Sequence, residues 1–150
     1  MIKLNSEILR FNNLNSEIYA VYHEAAVKLN ISDSVMQILY TVCCHENECT
    51  IKDICRETGI SKQTINSSLR NLERDGILYL EKRGRLKSVC LTEKGVQLAE
   101  QTAAKIIKAE NSIFDRWTKE EKETYIELTR KFLEMMRTEV GNITAGGEGE

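Results

Sequence analysis

Residues 61–95 read SKQTINSSLRNLERDGILYLEKRGRLKSVCLTEKG. This stretch holds eight of the chain's 21 Lys and Arg residues and only four acids, Glu73, Asp75, Glu81 and Glu93. Eight against four gives a local balance of +4, and it leaves −6 for the rest of a chain whose net charge is −2. A split of this size within 150 residues points to a surface built for a polyanion.

The pattern inside the stretch changes period. Ser61 is an N-cap residue, and Ile65, Leu69 and Leu72 recur at spacings of four and three, which predicts a helix stopped by Gly76. Lys62, Gln63, Thr64, Asn66, Ser67 and Arg70 fall on its other faces. The residues ILYLEK and LKSVCLT then predict two short strands flanking Arg83-Gly84-Arg85, a glycine-containing hairpin with Lys82 and Lys87 beside its tip.

Upstream, apolar residues from Ile8 to Leu29 form one stripe on a long helix running from about Asn5. A second helix is expected from Ser32 to about His45, and a short third from Thr50 to Thr58, closed by Gly59. Downstream, Val96, Ala99, Ala103, Ile106, Ile107 and Glu110 predict one continuous helix. A last helix starts at Thr118, with Glu121 completing a capping box and Tyr125, Leu128, Phe132 and Met135 as its stripe.

The short third helix, Gly59-Ile60 and the Ser61–Asp75 helix have the form of a helix-turn-helix. In that motif the N-terminal residues of the second helix reach base edges in the major groove. Gln63 and Asn66 can bond adenine bidentately, Ser61, Thr64 and Ser67 can serve bases or phosphates, and Arg70 suits guanine or phosphate. Arg83, Arg85 and Lys87 on a narrow ribbon suit a minor groove or the flanking phosphates. Ser61 also serves as a cap, and that reading is preferred for it.

The fold expected is mainly α with a small β-hairpin wing: a winged helix-turn-helix with N- and C-terminal dimerisation helices. Residues 1–30 and 96–140 are expected to be the dimerisation helices, 31–95 the DNA-binding lobe, and 141–150 a disordered tail. The long terminal helices cannot cover their stripes alone, so a two-fold homodimer is expected.

The segment RNLERDGILYLEKRGRLKSVCLTEKG resembles the MarR family of bacterial transcription regulators. Leu72, Glu73 and Gly76 match its helix end, Arg85 its wing arginine, and Leu91, Thr92 and Gly95 the opening of its next helix. Where the family commonly carries a wing Asp, this chain has Arg83, which predicts a steeper salt dependence of DNA binding. The resemblance implies a double-stranded DNA operator of pseudo-palindromic form and a homodimeric repressor released by a ligand or oxidant. It also implies a small aromatic or phenolic effector between the dimer helices and the winged lobe. Tyr19, Tyr22 and His23 on the first helix are the pocket candidates, with packing in the dimer as the preferred alternative.

Five cysteines without a regular framework read as reduced thiols. Cys43, Cys44 and Cys49 of CCHENEC are the redox candidates, and with His45 they are competent zinc ligands. Adjacent Cys43 and Cys44 lie about 100° apart on a helix, so both cannot easily face one ion. Cys43 is read as core filler, His45 as a surface residue, and no metal or cofactor is expected. No catalytic constellation appears, so an enzyme is not expected. The start of the chain lacks a signal-peptide pattern, no apolar run could span a bilayer, and a cytoplasmic protein follows. The alternative function keeps the fold: a winged-helix module that binds an acidic protein rather than specific DNA.

Overall fold

The computed structural model describes residues 5–143. Their elements are α1 (Ser6–Lys28), α2 (Asp33–Cys44), β1 (Glu48–Thr50), α3 (Ile51–Thr58), α4 (Lys62–Arg74), β2 (Leu78–Arg83), β3 (Leu86–Leu91), α5 (Glu93–Gln101), α6 (Ala103–Asp115) and α7 (Lys119–Gly141). The chain forms two units, the first ending at Lys108 and the second beginning at Ala109. No described helix is long and apolar enough to cross a membrane.

Polar side chains mark the helix starts. Asn5 accepts from the N–H groups of Glu7 and Ile8, and Ser32 accepts from that of Val35. At α3, Thr50 and Asp53 form a reciprocal capping box. Each such cap is worth about 1 kcal/mol against alanine.

The first unit closes on one core. Ile38, Leu39 and Val42 of α2, Ile54 of α3, Ile65 and Leu69 of α4, Leu78 of β2 and Val89 of β3 are all fully or nearly fully buried. Burying one such side chain contributes about 1.5–3 kcal/mol. The three strands are antiparallel in the order β1-β3-β2. Strand β1 is absent from the sequence expectation. It pairs with β3 through Glu48↔Cys90, Cys49↔Val89 and Thr50↔Ser88. Thr50 is therefore both a ladder residue and the cap of α3.

The end of α4 explains the Leu72-Glu73…Gly76 pattern. Gly76 has φ +70°, its N–H donates to Glu73 O (3.0 Å), and the Ile77 N–H donates to Leu72 O (2.9 Å). This is a Schellman closure in which Leu72 and Ile77 are both buried. The Leu91-Thr92…Gly95 pattern meets it there. The Thr92 hydroxyl donates to Gly76 O (2.7 Å) and Ile77 O (3.0 Å) and accepts from the Gly95 N–H (3.0 Å). Lys94 Nζ adds a bond to Asp75 O (2.8 Å). The two motif halves thus form one clasp between α4 and α5.

The single helix expected from Val96 to Glu110 is a correction: it breaks at Thr102 into α5 and α6. Thr102 takes φ −125°, ψ −89°, and its hydroxyl donates to Leu98 O (2.7 Å), a local bond that competes with the helical ladder. Ala99 and Ala103 on either side are buried in the first unit's core.

In the second unit, Thr118 caps α7 with Glu121 as its box partner. Phe114, Trp117 and Tyr125 cluster, with Phe114 stacked on Trp117 (5.0 Å) and Tyr125 edge-on to Trp117 (5.3 Å). No residue of α7 is buried within the chain. The helix runs to Gly141, inside the stretch expected as tail, and residues 144–150 lie outside the described ones.

Candidate nucleic-acid interface

Helix α4 is 13 residues, about 20 Å at the usual rise. Its apolar edge, Ile65, Leu69 and Leu72, is spent in the core. Lys62, Gln63, Thr64, Ser67 and Arg70 are exposed on the opposite side, and Asn66 is half-buried. Ser61 Oγ accepts from the Thr64 N–H (3.2 Å) and donates to Thr64 Oγ1 (2.9 Å), so both hydroxyls serve the cap. Ser68 is turned inward to Ser34 of α2 (2.9 Å), which fixes the rotation of α4 against the lobe. Gly59, at φ +67°, makes the turn before it, where a β-carbon would strain the backbone.

The wing is tighter than the sequence suggests. Arg83 pairs with Leu86, so the turn is only Gly84-Arg85, with Gly84 at φ +63° as the first position of a II′ hairpin requires. Side chains alternate along the strands, and the ladder sorts the charges by face. Lys82 stands directly opposite Lys87, on the face that carries Leu80 and Val89 inward. Glu81 and Arg83 lie on the other face with Glu48 of β1. There, Arg83 Nη1 meets Glu48 Oε1 (3.0 Å) and Nη2 meets Glu81 Oε2 (2.7 Å). The exposed residues of α4, the opposed lysines and Arg85 at the turn are the candidates for a nucleic-acid surface.

The other candidates are placed as follows. On α1, His23 Nδ1 lies 2.8 Å from Asp33 Oδ2, tying α1 to the start of α2, while Tyr19 is widely exposed and Tyr22 partly so. His45 caps α2 and lies 3.0 Å from Glu57 on α3. Cys44 is exposed, Cys43 half-buried and Cys49 buried. Burial is the chief reason that the Cys49 thiol is pushed up to about 12, with nearby acids adding to it, and burial likewise raises Cys43 and Cys90. The CCHENEC residues do not converge on one point. A polar depression of about 410 Å³ does include His45, Glu46, Glu48, Cys49 and Arg83. The Glu48–Arg83 contact had no signal in the sequence, because it depends on β1.

The MarR family model matches residues 29–85, the span from the end of α1 through the wing turn. An uncharacterised HTH-type transcriptional regulator, YwhA, of Bacillus subtilis is 29% identical over 105 residues, 68% of this chain and 73% of its own. The structure of NMB1585, a MarR family regulator from Neisseria meningitidis, superposes with a TM-score of 0.80 at 17% identity, covering 92% of this chain and 98% of that one. Staphylococcus aureus MepR in its DNA-binding conformation gives 0.72 at 21% identity, covering 88% and 99%. The chain thus resembles the MarR family over residues 29–85, and the solved structures share its winged-helix fold.

Proposed function

We propose that the protein is a sequence-specific transcription regulator that reads a pseudo-palindromic DNA operator as a homodimer and acts as a repressor. The observation that carries this is the sorting of α4: every apolar residue of its stripe is buried, and Lys62, Gln63, Thr64, Ser67 and Arg70 stand outward. Gln63 and Thr64, with the half-buried Asn66, read base edges, while Arg70, Lys62, Arg85 and Lys87 hold phosphates or a minor groove. Amide and hydroxyl groups beside the cations favour bases over an acidic protein patch, which would need charge alone. The MarR family match over residues 29–85 and the likeness to the MepR structure in a DNA-binding conformation support the reading.

Homodimerisation is supported by exposed apolar residues on the terminal helices, Leu14, Ile18 and Val21 on α1 and Leu128 and Met135 on α7. In the family a small aromatic or phenolic ligand, or an oxidant, releases the operator by changing the separation of the two lobes. Tyr19, Tyr22 and His23 are the residues through which such a ligand would act here.

Selection from a random duplex library at near-physiological salt tests the reading. Enrichment of a pseudo-palindrome with half-sites about ten base pairs apart is the expected result. Weak binding without enrichment, lost as salt rises, would replace it with the protein-interaction module.

A further inference from the structure

From the sequence alone, Arg83 reads as a second wing cation aimed at the DNA backbone. Its geometry gives it different work. It is the last residue of β2, and the two-residue turn holds its side chain on the sheet face opposite Lys82 and Lys87. All three of its donor nitrogens face carboxylates. Nε and Nη2 both meet Glu81 Oε2 at 3.0 and 2.7 Å, and Nη1 meets Glu48 Oε1 at 3.0 Å. Glu81 is two residues away on the same strand. Glu48 lies two strands away, on the far side of β3. A guanidinium that donates in a fixed fork suits such a double contact better than a lysine ammonium.

Glu48 occupies a sensitive place. It opens a strand of three residues whose last member, Thr50, caps the first helix of the helix-turn-helix. A tie from the wing turn to Glu48 therefore joins the wing to α3 without passing through the core. The carboxylates of Glu48 and Glu81 lie close to each other and to the Cys90 thiol, a grouping able to hold a cation. The Arg83 guanidinium bonds both carboxylates and is the cation this site holds.

We infer that Arg83 is a positioning residue: it bridges Glu81 to Glu48 and so fixes the angle of the wing to the helix-turn-helix, leaving phosphate contact to Lys82, Lys87 and Arg85. The inference deepens the DNA-reading proposal and rests on it for its effect on affinity. The tie itself can be tested without DNA.

In the free protein, amide hydrogen exchange of Glu48–Thr50 and of the wing is compared among the parent, Arg83→Gln and Glu48→Gln. Both substitutions should speed exchange there by a similar factor, about threefold for a partly exposed ion pair, with the α2 and α4 core amides unchanged. The charge-swapped double variant E48R/R83E keeps an arginine within reach of two carboxylates and should restore protection. In operator titrations Arg83→Gln and Glu48→Gln should weaken binding alike, leave the salt slope as in the parent, and be rescued by the swap.

Unchanged exchange in both single variants overturns the inference. So does a salt slope flattened by about 0.9 in Arg83→Gln, with Glu48→Gln binding as tightly as the parent or tighter, since that is how a phosphate contact behaves. Failure of the parent to select any duplex would count against the DNA-reading function, while the exchange pattern would still decide the tie.

Discussion

The α-carbon of Gly95 faces the carbonyl oxygen of Ile77 so closely that a β-carbon there would overlap that oxygen. The opposing atom belongs to the backbone of the clasp and cannot swing aside. Gly95 lies in the first turn of α5, where alanine would ordinarily favour the helix by up to about 1 kcal/mol. The overlap reverses that sign, since overpacking costs about 1–3 kcal/mol. Gly95→Ala is expected to lower the urea midpoint, whereas Gly141→Ala, where a β-carbon meets nothing, should leave it unchanged or raised.

Lys82 and Lys87 oppose each other across the β2–β3 ladder. Like charges so placed destabilise a hairpin by about 0.2–1 kcal/mol. Lys87→Gln should therefore hold or slightly raise the melting temperature while weakening DNA binding. If Lys87 neutralises one phosphate, the slope of log affinity against log salt falls by about 0.9. A melting temperature lowered along with affinity would instead assign the lysine to folding.

Variants of Gln63 and Arg70 test whether α4 separates specificity from attraction as proposed. Gln63→Ala is expected to cost about 1–3 kcal/mol on the selected operator and almost nothing on unrelated duplex. Arg70→Ala should weaken both. Electrophoretic titrations on the two duplexes measure the difference. Unchanged operator affinity in both Arg70→Ala and Arg85→Ala would show that the reading surface lies elsewhere.

Asp53 accepts a hydrogen bond from the Thr50 hydroxyl (2.6 Å), the main reason its carboxyl sits below the usual range, and Arg56 adds to the effect. A carboxylate whose pKa falls on folding binds its proton more readily in the unfolded chain. Its contribution to stability is therefore complete above the unfolded value of about 3.9 and is lost as pH falls through the lower folded value. Asp53→Asn should lower stability at pH 6 and make its decline below pH 4 shallower, as read by chemical denaturation across that range.

The thiols should react in order of access. Cys44 is exposed, while Cys49 is buried with its pKa near 12, so almost none of it is thiolate at neutral pH. Alkylation at pH 7.5 followed by peptide mapping should label Cys44 first and spare Cys49 and Cys90 until the protein unfolds. Early labelling of Cys49 would restore it as a redox candidate.

Features written locally were legible in the sequence. Ser61, Gly76, Gly84 and Thr118 each carry a cap or turn signal strong enough to set an element boundary, and the structure uses all four. What depends on distant partners was not legible. Glu48-Cys49-Thr50 is too short to show a period and becomes a strand only by pairing with β3, some 40 residues later. The break at Thr102 sits in an alanine-rich run that favours helix, and only the Leu98 carbonyl and the buried setting disclose it. The outward residues of α4 could be read from helical spacing. The sorting of wing charges could not, because it follows from placing Arg83 in the strand rather than in the turn.

Thr50 closes β1 and caps α3 at once, so no linker separates sheet from helix. If the wing and the helix-turn-helix contact a duplex as proposed, they would do so with one joint fewer between them than their element count implies. Ordering one relative to the other would then add less entropic cost at the moment of binding. In the dimer proposed above, adaptation to a new operator spacing would have to come from the arrangement of whole lobes, leaving the geometry within each lobe constant.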